Sequence, residues 1–156
     1  MHRLAIIAAL AATFLCLELG LCVEVGLCAE APLADIGRVK NIAGTVSVER
    51  GGHRLAVVSG TQLESGDVII TGPDGRMGIT FVDNTRFSVG YNSRVILKDF
   101  HFDPTRRTGS FVTSVNRGTL GVVSGLIAKS GKDAMRVATP TSMLGVRGTR
   151  FVVDVP

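Results

Sequence analysis

From residue 37 onward, apolar and polar positions alternate with a period near two, in short runs separated by turn residues. Thr45–Glu49 alternates in this way, and so does Arg76–Val82. Arg86–Val89, Arg94–Lys98, Ser110–Val115 and Arg150–Val155 set branched or aromatic residues between polar flanks, the composition of half-buried strands. Between these runs stand Gly51-Gly52, Gly66-Asp67, Gly72-Pro73-Asp74-Gly75, Asp83-Asn84, Tyr91-Asn92-Ser93 and Asp103-Pro104. Each is turn chemistry: glycine supplies positive φ, proline presets φ, and Asp or Asn bonds its own backbone. Strands and turns repeating at this spacing predict an all-β domain. The best helix candidate is Leu126–Ser130, which Gly125 and Gly131 confine to about one turn. Val68–Thr71 followed by Gly78–Phe81 is echoed by Arg136–Thr139 followed by Gly145–Phe151, a repeat that fits successive rungs of a β-solenoid or an antiparallel meander.

The first thirty residues break this pattern. Arg3 precedes an apolar run from Leu4 to Leu17, and the stretch to Cys28 is interrupted only by Glu18 and Glu24. A basic start, an apolar middle and small residues around Ala29-Glu30-Ala31 predict a secretory signal peptide over residues 1–31, cleaved near 28–31. The alternative is an uncleaved anchor, against which the two glutamates count, since an acid at mid-bilayer costs ~2.5–3.5 kcal/mol on insertion scales. All three cysteines (Cys16, Cys22 and Cys28) lie in this segment, and each follows a leucine or phenylalanine neighbourhood unsuited to lipid attachment. Its removal leaves a domain that must rest on its apolar core, without disulfides or a thiolate metal site. Losing one base (Arg3) and two acids (Glu18, Glu24) moves the net charge from +4 to +5. The bases are interleaved with acids, and with one tyrosine and no tryptophan the chain offers no stacking platform, so nucleic acid is excluded as a partner.

Several motifs stand in a definite order. Gly44-Thr45-Val46 comes first, then Gly66-Asp67-Val68-Ile69-Ile70-Thr71-Gly72-Pro73-Asp74-Gly75-Arg76, then Phe81-Val82-Asp83-Asn84-Thr85. Gly118-Thr119-Leu120, Ser124-Gly125 and Lys129 follow, and the chain closes on Thr139-Pro140-Thr141-Ser142-Met143-Leu144-Gly145-Val146-Arg147-Gly148-Thr149-Arg150-Phe151. The series resembles the FecR domain, a bacterial extracytoplasmic module, over residues 36–155. The resemblance implies a twisted, β-solenoid-like architecture, with a β-sandwich as the alternative. Its motif residues are Gly66, Asp67, Thr71, Asp74, Gly75, Asp83, Thr139, Pro140, Gly145, Arg147, Gly148, Thr149 and Phe151, and their expected role is structural.

Catalytic chemistry is hard to find. His2 leaves with the leader, His53 follows a glycine pair, and His101 stands between two phenylalanines at the outward position of a strand. No cysteine or His-x-x-x-His spacing supports zinc, and Asp67, Asp74 and Asp83 read as turn formers, since the calcium-loop spacing is not met. Gly121–Gly125 misses the nucleophile-elbow spacing by one residue, and Gly145–Thr149 lacks the Gly-Lys-Ser/Thr ending of a phosphate loop. No catalytic residue, cofactor or metal is therefore expected, and the protein is not read as an enzyme. Arg147, between two glycines in an apolar strand, is expected to be a buried pin bonded to Asp83 or to loop carbonyls. The alternative places Arg147 and Arg150 against a ligand.

Resemblance to FecR-type regulators implies signalling across the envelope, but only Met1–Arg3 precedes the apolar run, too little to hold a sigma factor. The expectation is a periplasmic or secreted sensing module that binds an envelope protein or glycan. Alternatives are an inner-membrane-anchored form with the domain outside, touching the membrane only through an uncleaved leader, and a structural component that joins partners by strand-edge pairing. Partner identity and oligomeric state are not legible.

Overall fold

The computed structural model describes residues 35–156. The leader expected over residues 1–31, with its cysteines, His2 and cleavage site, lies outside the described residues.

Twelve strands form the fold among the described residues. They are β1 (Gly37–Ala43), β2 (Val46–Arg50), β3 (His53–Ala56), β4 (Gln62–Leu63), β5 (Val68–Thr71) and β6 (Arg76–Phe81) in the first half. β7 (Arg86–Val89), β8 (Arg94–Asp103), β9 (Thr108–Val123), β10 (Met135–Ala138), β11 (Met143–Val146) and β12 (Arg150–Val155) follow. One helical turn, α1 (Ile127–Ser130), is the only helix among the described residues, where Leu126–Ser130 predicts it. None of the described helices is long and apolar enough to cross a membrane.

The strands make one curled sheet in the order β3-β2-β5-β8-β9-β7-β6-β1-β4, and all its pairings but one are antiparallel. The exception is β9 beside β10, which run parallel. The all-β class is thus as the pattern of the chain predicts. The echoing segments do not pair with each other: β5 lies between β2 and β8, whereas β10 lies between β9 and β11.

β9 is the hinge of the curl. Its first half pairs with β8 and β10, and its second half pairs with β7 and β12. Gly118 divides the halves with φ near +83°, and a Cβ there would stand 2.2 Å from the Ser93 hydroxyl oxygen. Only glycine lets the strand turn this corner against β8.

Alternation sends one face of each wing inward. Val39, Ile69, Ile79, Phe87, Val95, Leu97, Leu120 and Val137 are all buried. Phe111, fully buried on β9, packs edge-on to Phe81 at 4.8 Å and Phe100 at 4.9 Å and stacks with Phe87 at 5.3 Å. These rings tie the two wings together, each pair adding about 0.5–1.5 kcal/mol beyond its buried area.

Candidate functional site

Most of the motif residues gather at turns where separate passes of the chain latch onto one another. In the first cluster, Gly72-Pro73-Asp74-Gly75 closes by the Gly75 amide donating to the Gly72 carbonyl at 3.0 Å. This turn grips the one at Gly44-Thr45: the Thr45 amide donates to Asp74 Oδ1 at 3.1 Å, and the Gly72 amide donates to the Thr45 carbonyl at 2.8 Å. A Cβ on Gly75 would lie 2.2 Å from that carbonyl oxygen, so the close approach requires glycine. The bond from the Thr45 amide holds the Asp74 carboxyl below its ordinary range. Thr71, buried beside it, donates its hydroxyl to the Gly90 carbonyl at 2.7 Å and accepts the Ser93 amide at 2.8 Å. Ser93 Oγ in turn accepts the Thr119 amide at 3.0 Å, carrying the latch to the Gly118 corner.

Asp67 forms the second anchor. Its fully buried carboxylate meets the Arg50 guanidinium side-on in a bidentate pair, with Nε donating to Oδ1 and Nη2 to Oδ2, both at 2.8 Å. The same arginine reaches Glu64 and the Gln62 carbonyl, and the hydrogen bond to Asp67 raises its pKa above the ordinary guanidinium value. Asp67 also accepts the Glu64 amide at 2.9 Å, so it closes its own turn while neutralising the cation. Its neighbour Gly66 donates its amide to the Leu97 carbonyl at 2.6 Å. Sequence spacing identifies Asp67 as a turn former but gives no hint of Arg50, 17 residues earlier.

The third cluster surrounds Asp83, also fully buried. It accepts the Thr85 amide at 3.0 Å, the Thr85 hydroxyl at 2.6 Å and the Ile127 amide at 3.3 Å. Its carbonyl accepts the Leu126 amide at 2.8 Å, and Thr85 Oγ1 accepts the Gly125 amide at 3.0 Å, which fixes the entry to α1.

The pairing expected for Arg147 is therefore not formed. Asp83 is occupied by Thr85 and Ile127, while Arg147 is exposed and makes no side-chain hydrogen bond or ion pair among the described residues. The physical reason is its place outside the sheet. Arg147, Gly148 and Thr149 form the corner that carries the chain from the edge of one wing to the edge of the other. Thr149 holds that corner, its amide donating to Ser124 Oγ at 2.7 Å and its carbonyl accepting the Ser124 amide at 3.0 Å. Thr139 closes the preceding turn, accepting the Ser142 amide at 3.1 Å, with Pro140 exposed at its tip. Gly145 lies against the Asp133 carboxylate, Gly148 has φ near +54°, and Phe151 is half-buried against the core.

The closing motif thereby builds a feature that sequence reasoning missed. Among the described residues β11 pairs only with β10, and β12 pairs only with β9, so each leaves one edge without a neighbour there. These two strands line a shared cleft. One part, of about 520 Å³, runs between the Thr139–Ser142 turn and Val152–Pro156. The other, of about 310 Å³, is lined by Leu144, Val146, Arg147, Phe151, Val152 and Val153. Two apolar side chains of the lining are open to solvent: Leu144 is 43% exposed and Val152 68%. Among the described residues, no three His, Cys, Asp or Glu side chains converge as metal ligands.

A family model described as FecR protein matches residues 67–155, more than half of the chain. β1 to β4 precede the matched span, and β1 pairs with β6 and β2 with β5 in the same sheet. No curated protein and no solved structure gives a significant match to the chain.

Proposed function

The chain belongs to the FecR family, and from that premise we propose that it is a non-enzymatic signalling module of the cell envelope that works by binding another envelope protein. The family is a signalling, non-catalytic one, which supports the reading. In this proposal residues 1–31 direct export and are removed near 28–31, and residues 36–155 act as one domain in the periplasm or outside the cell. The motif residues from Gly66 to Phe151 other than Arg147 serve as latches and corners.

The observation that carries the reading is the cleft between β11 and β12, where Leu144 and Val152 are exposed in the lining. Clustered apolar surface rimmed by polar groups is characteristic of a protein-binding site. Aliphatic residues and Phe151 make up the apolar part of its lining, and the single tyrosine, Tyr91, lies elsewhere, which favours a protein over a glycan. The two open edges also favour a second reading, in which the chain is a fixed part of an envelope assembly joined through strand edges.

A photo-reactive residue at position 152, introduced in the living cell, tests the first reading. It is expected to trap an envelope protein, whereas the same residue at position 58, also exposed, is expected to trap none. Equal labelling from both positions would refute a cleft-directed partner. Light scattering separates the second reading, which requires a stable complex of fixed stoichiometry.

A further inference from the structure

The β12 edge has a defined hydrogen-bonding register. The Ser124 amide donates to the Thr149 carbonyl, and β12 runs antiparallel to β9 with Arg150 opposite Val123. In an antiparallel ladder, hydrogen-bonded and non-hydrogen-bonded pairs alternate. Thr149, Phe151, Val153 and Val155 therefore direct their backbone groups at β9, and Arg150, Val152 and Asp154 direct theirs away from it. The amides of these three residues make no hydrogen bond among the described residues. On β11, the Thr139 amide bonded to the Ser142 carbonyl sets the same alternation, so Met143 and Gly145 face away from β10.

Two further observations concern what lies along that edge. Leu144, Val146, Phe151 and Val153 line the opening, so the core is incompletely covered where the sheet fails to close. Arg147 and Arg150 stand at the same end, both exposed and with no acid paired to either among the described residues. Lys129 adds a third cation near the Gly148 corner. The nearest acid on β12, Asp154, stands at the far end and is bonded to Thr119 Oγ1 at 2.8 Å.

We propose that β12 receives an extended segment of a partner protein as an added strand, in which apolar residues alternate with acidic ones. The backbone of the segment pairs with Arg150, Val152 and Asp154. Its apolar side chains close over Leu144 and Phe151, and its carboxylates meet Arg147 and Arg150 at the rim. A single strand meets all three needs, because its side chains alternate between the two faces with period two. This inference rests on the reading of the chain as a protein-binding module and adds the chemistry of the partner.

The test uses the full chain and three acetylated hexapeptides: one alternating glutamate and valine, one alternating lysine and valine, and a glutamate–valine peptide methylated on every backbone nitrogen. Binding is followed by isothermal titration. The first peptide is expected to bind, and the other two, which lose its hydrogen bonds or ion pairs, to bind at least about tenfold more weakly, a loss of about 1.4 kcal/mol. Val152→Pro removes an edge amide without removing one from the β9 ladder, a position where proline is tolerated, and should reduce binding by about tenfold. Arg147→Glu with Arg150→Glu, both on the surface, gives a second variant with the same expectation. Absence of binding by the first peptide overturns the proposal, as does equal binding by the methylated or lysine peptide. Self-association of the chain that Val152→Pro abolishes, with no peptide bound, would assign the edge to a second copy and also overturn it. If these peptides fail while position 152 still traps an envelope protein, strand addition is wrong and the broader reading stands.

Discussion

Arg50→Ala is expected to be among the more damaging single changes in this domain, although Arg50 lies outside every family motif. Truncation leaves the Asp67 carboxylate fully buried and strips two bonds of 2.8 Å from it. Only the Glu64 amide, at 2.9 Å, then still supports the charge. Breaking a buried ion pair from one side typically costs ~3–5 kcal/mol, because the remaining charge is uncompensated. The Arg50 side chain is 31% exposed, so water partly replaces it, and the low end, about 3 kcal/mol, applies here. Arg50→Lys should recover only part of this, since an ammonium cannot grip both carboxylate oxygens in parallel. The assay is urea unfolding followed by far-UV circular dichroism, applied to Arg50→Ala, Asp67→Ala and the double variant. Asp67→Ala removes the buried charge itself, so the double variant should be far less destabilised than the sum of the single ones. A coupling of about 1.5–3 kcal/mol is expected, the range for residues sharing one charge-paired network. Additivity within about 0.5 kcal/mol, or an Arg50→Ala cost below that figure, would falsify the assignment of Arg50 as the anchor.

Four other outcomes follow from the geometry. Arg147→Ala should change stability by less than about 0.5 kcal/mol, as for other exposed positions, and urea unfolding checks it. Asp83→Ala, which strips bonds from two buried amides and the Thr85 hydroxyl, should cost about 2–3 kcal/mol in the same assay. Gly118→Ala combines a positive φ with a methyl driven onto Ser93 and should cost about 2–4 kcal/mol, read as a lowered melting temperature. The Asp74 carboxyl is held below its ordinary value of 3.8, so its contribution is present above that pH and lost as pH falls through the lower folded-state value. Asp74→Asn should therefore destabilise the domain at pH 7 and converge with the parent in melting scans near the acid end.

Much of the strand inventory was legible because it depends on local rules. Period-two alternation and turn residues place β6, β7 and β12 within a residue of their observed bounds, and the glycines around Leu126–Ser130 limit α1 to one turn. Gly75 and Asp74 were recognisable as a turn for the same reason: φ preference and short-range hydrogen bonding are properties of neighbouring residues.

What the tertiary structure alone decided are the pairings between residues far apart in the chain. Alternation does not reveal that β9 runs unbroken through sixteen residues and serves both wings, nor that β10 joins it in parallel. Asp83 was recognisable as a polar turn residue, but whether its carboxylate met Arg147 or the amides near α1 depended on which passes the curl brings together. The same holds for Arg50 and Asp67, whose fit needs the end of β2 to lie over the turn before β5. The cleft is the clearest case. Leu144 sits in an apolar strand, and its exposure comes from the outer edge of β11 having no neighbour among the described residues. A strand's own residues specify which faces alternate, whereas the presence of a neighbour at its edge is settled only by the closure of the whole sheet.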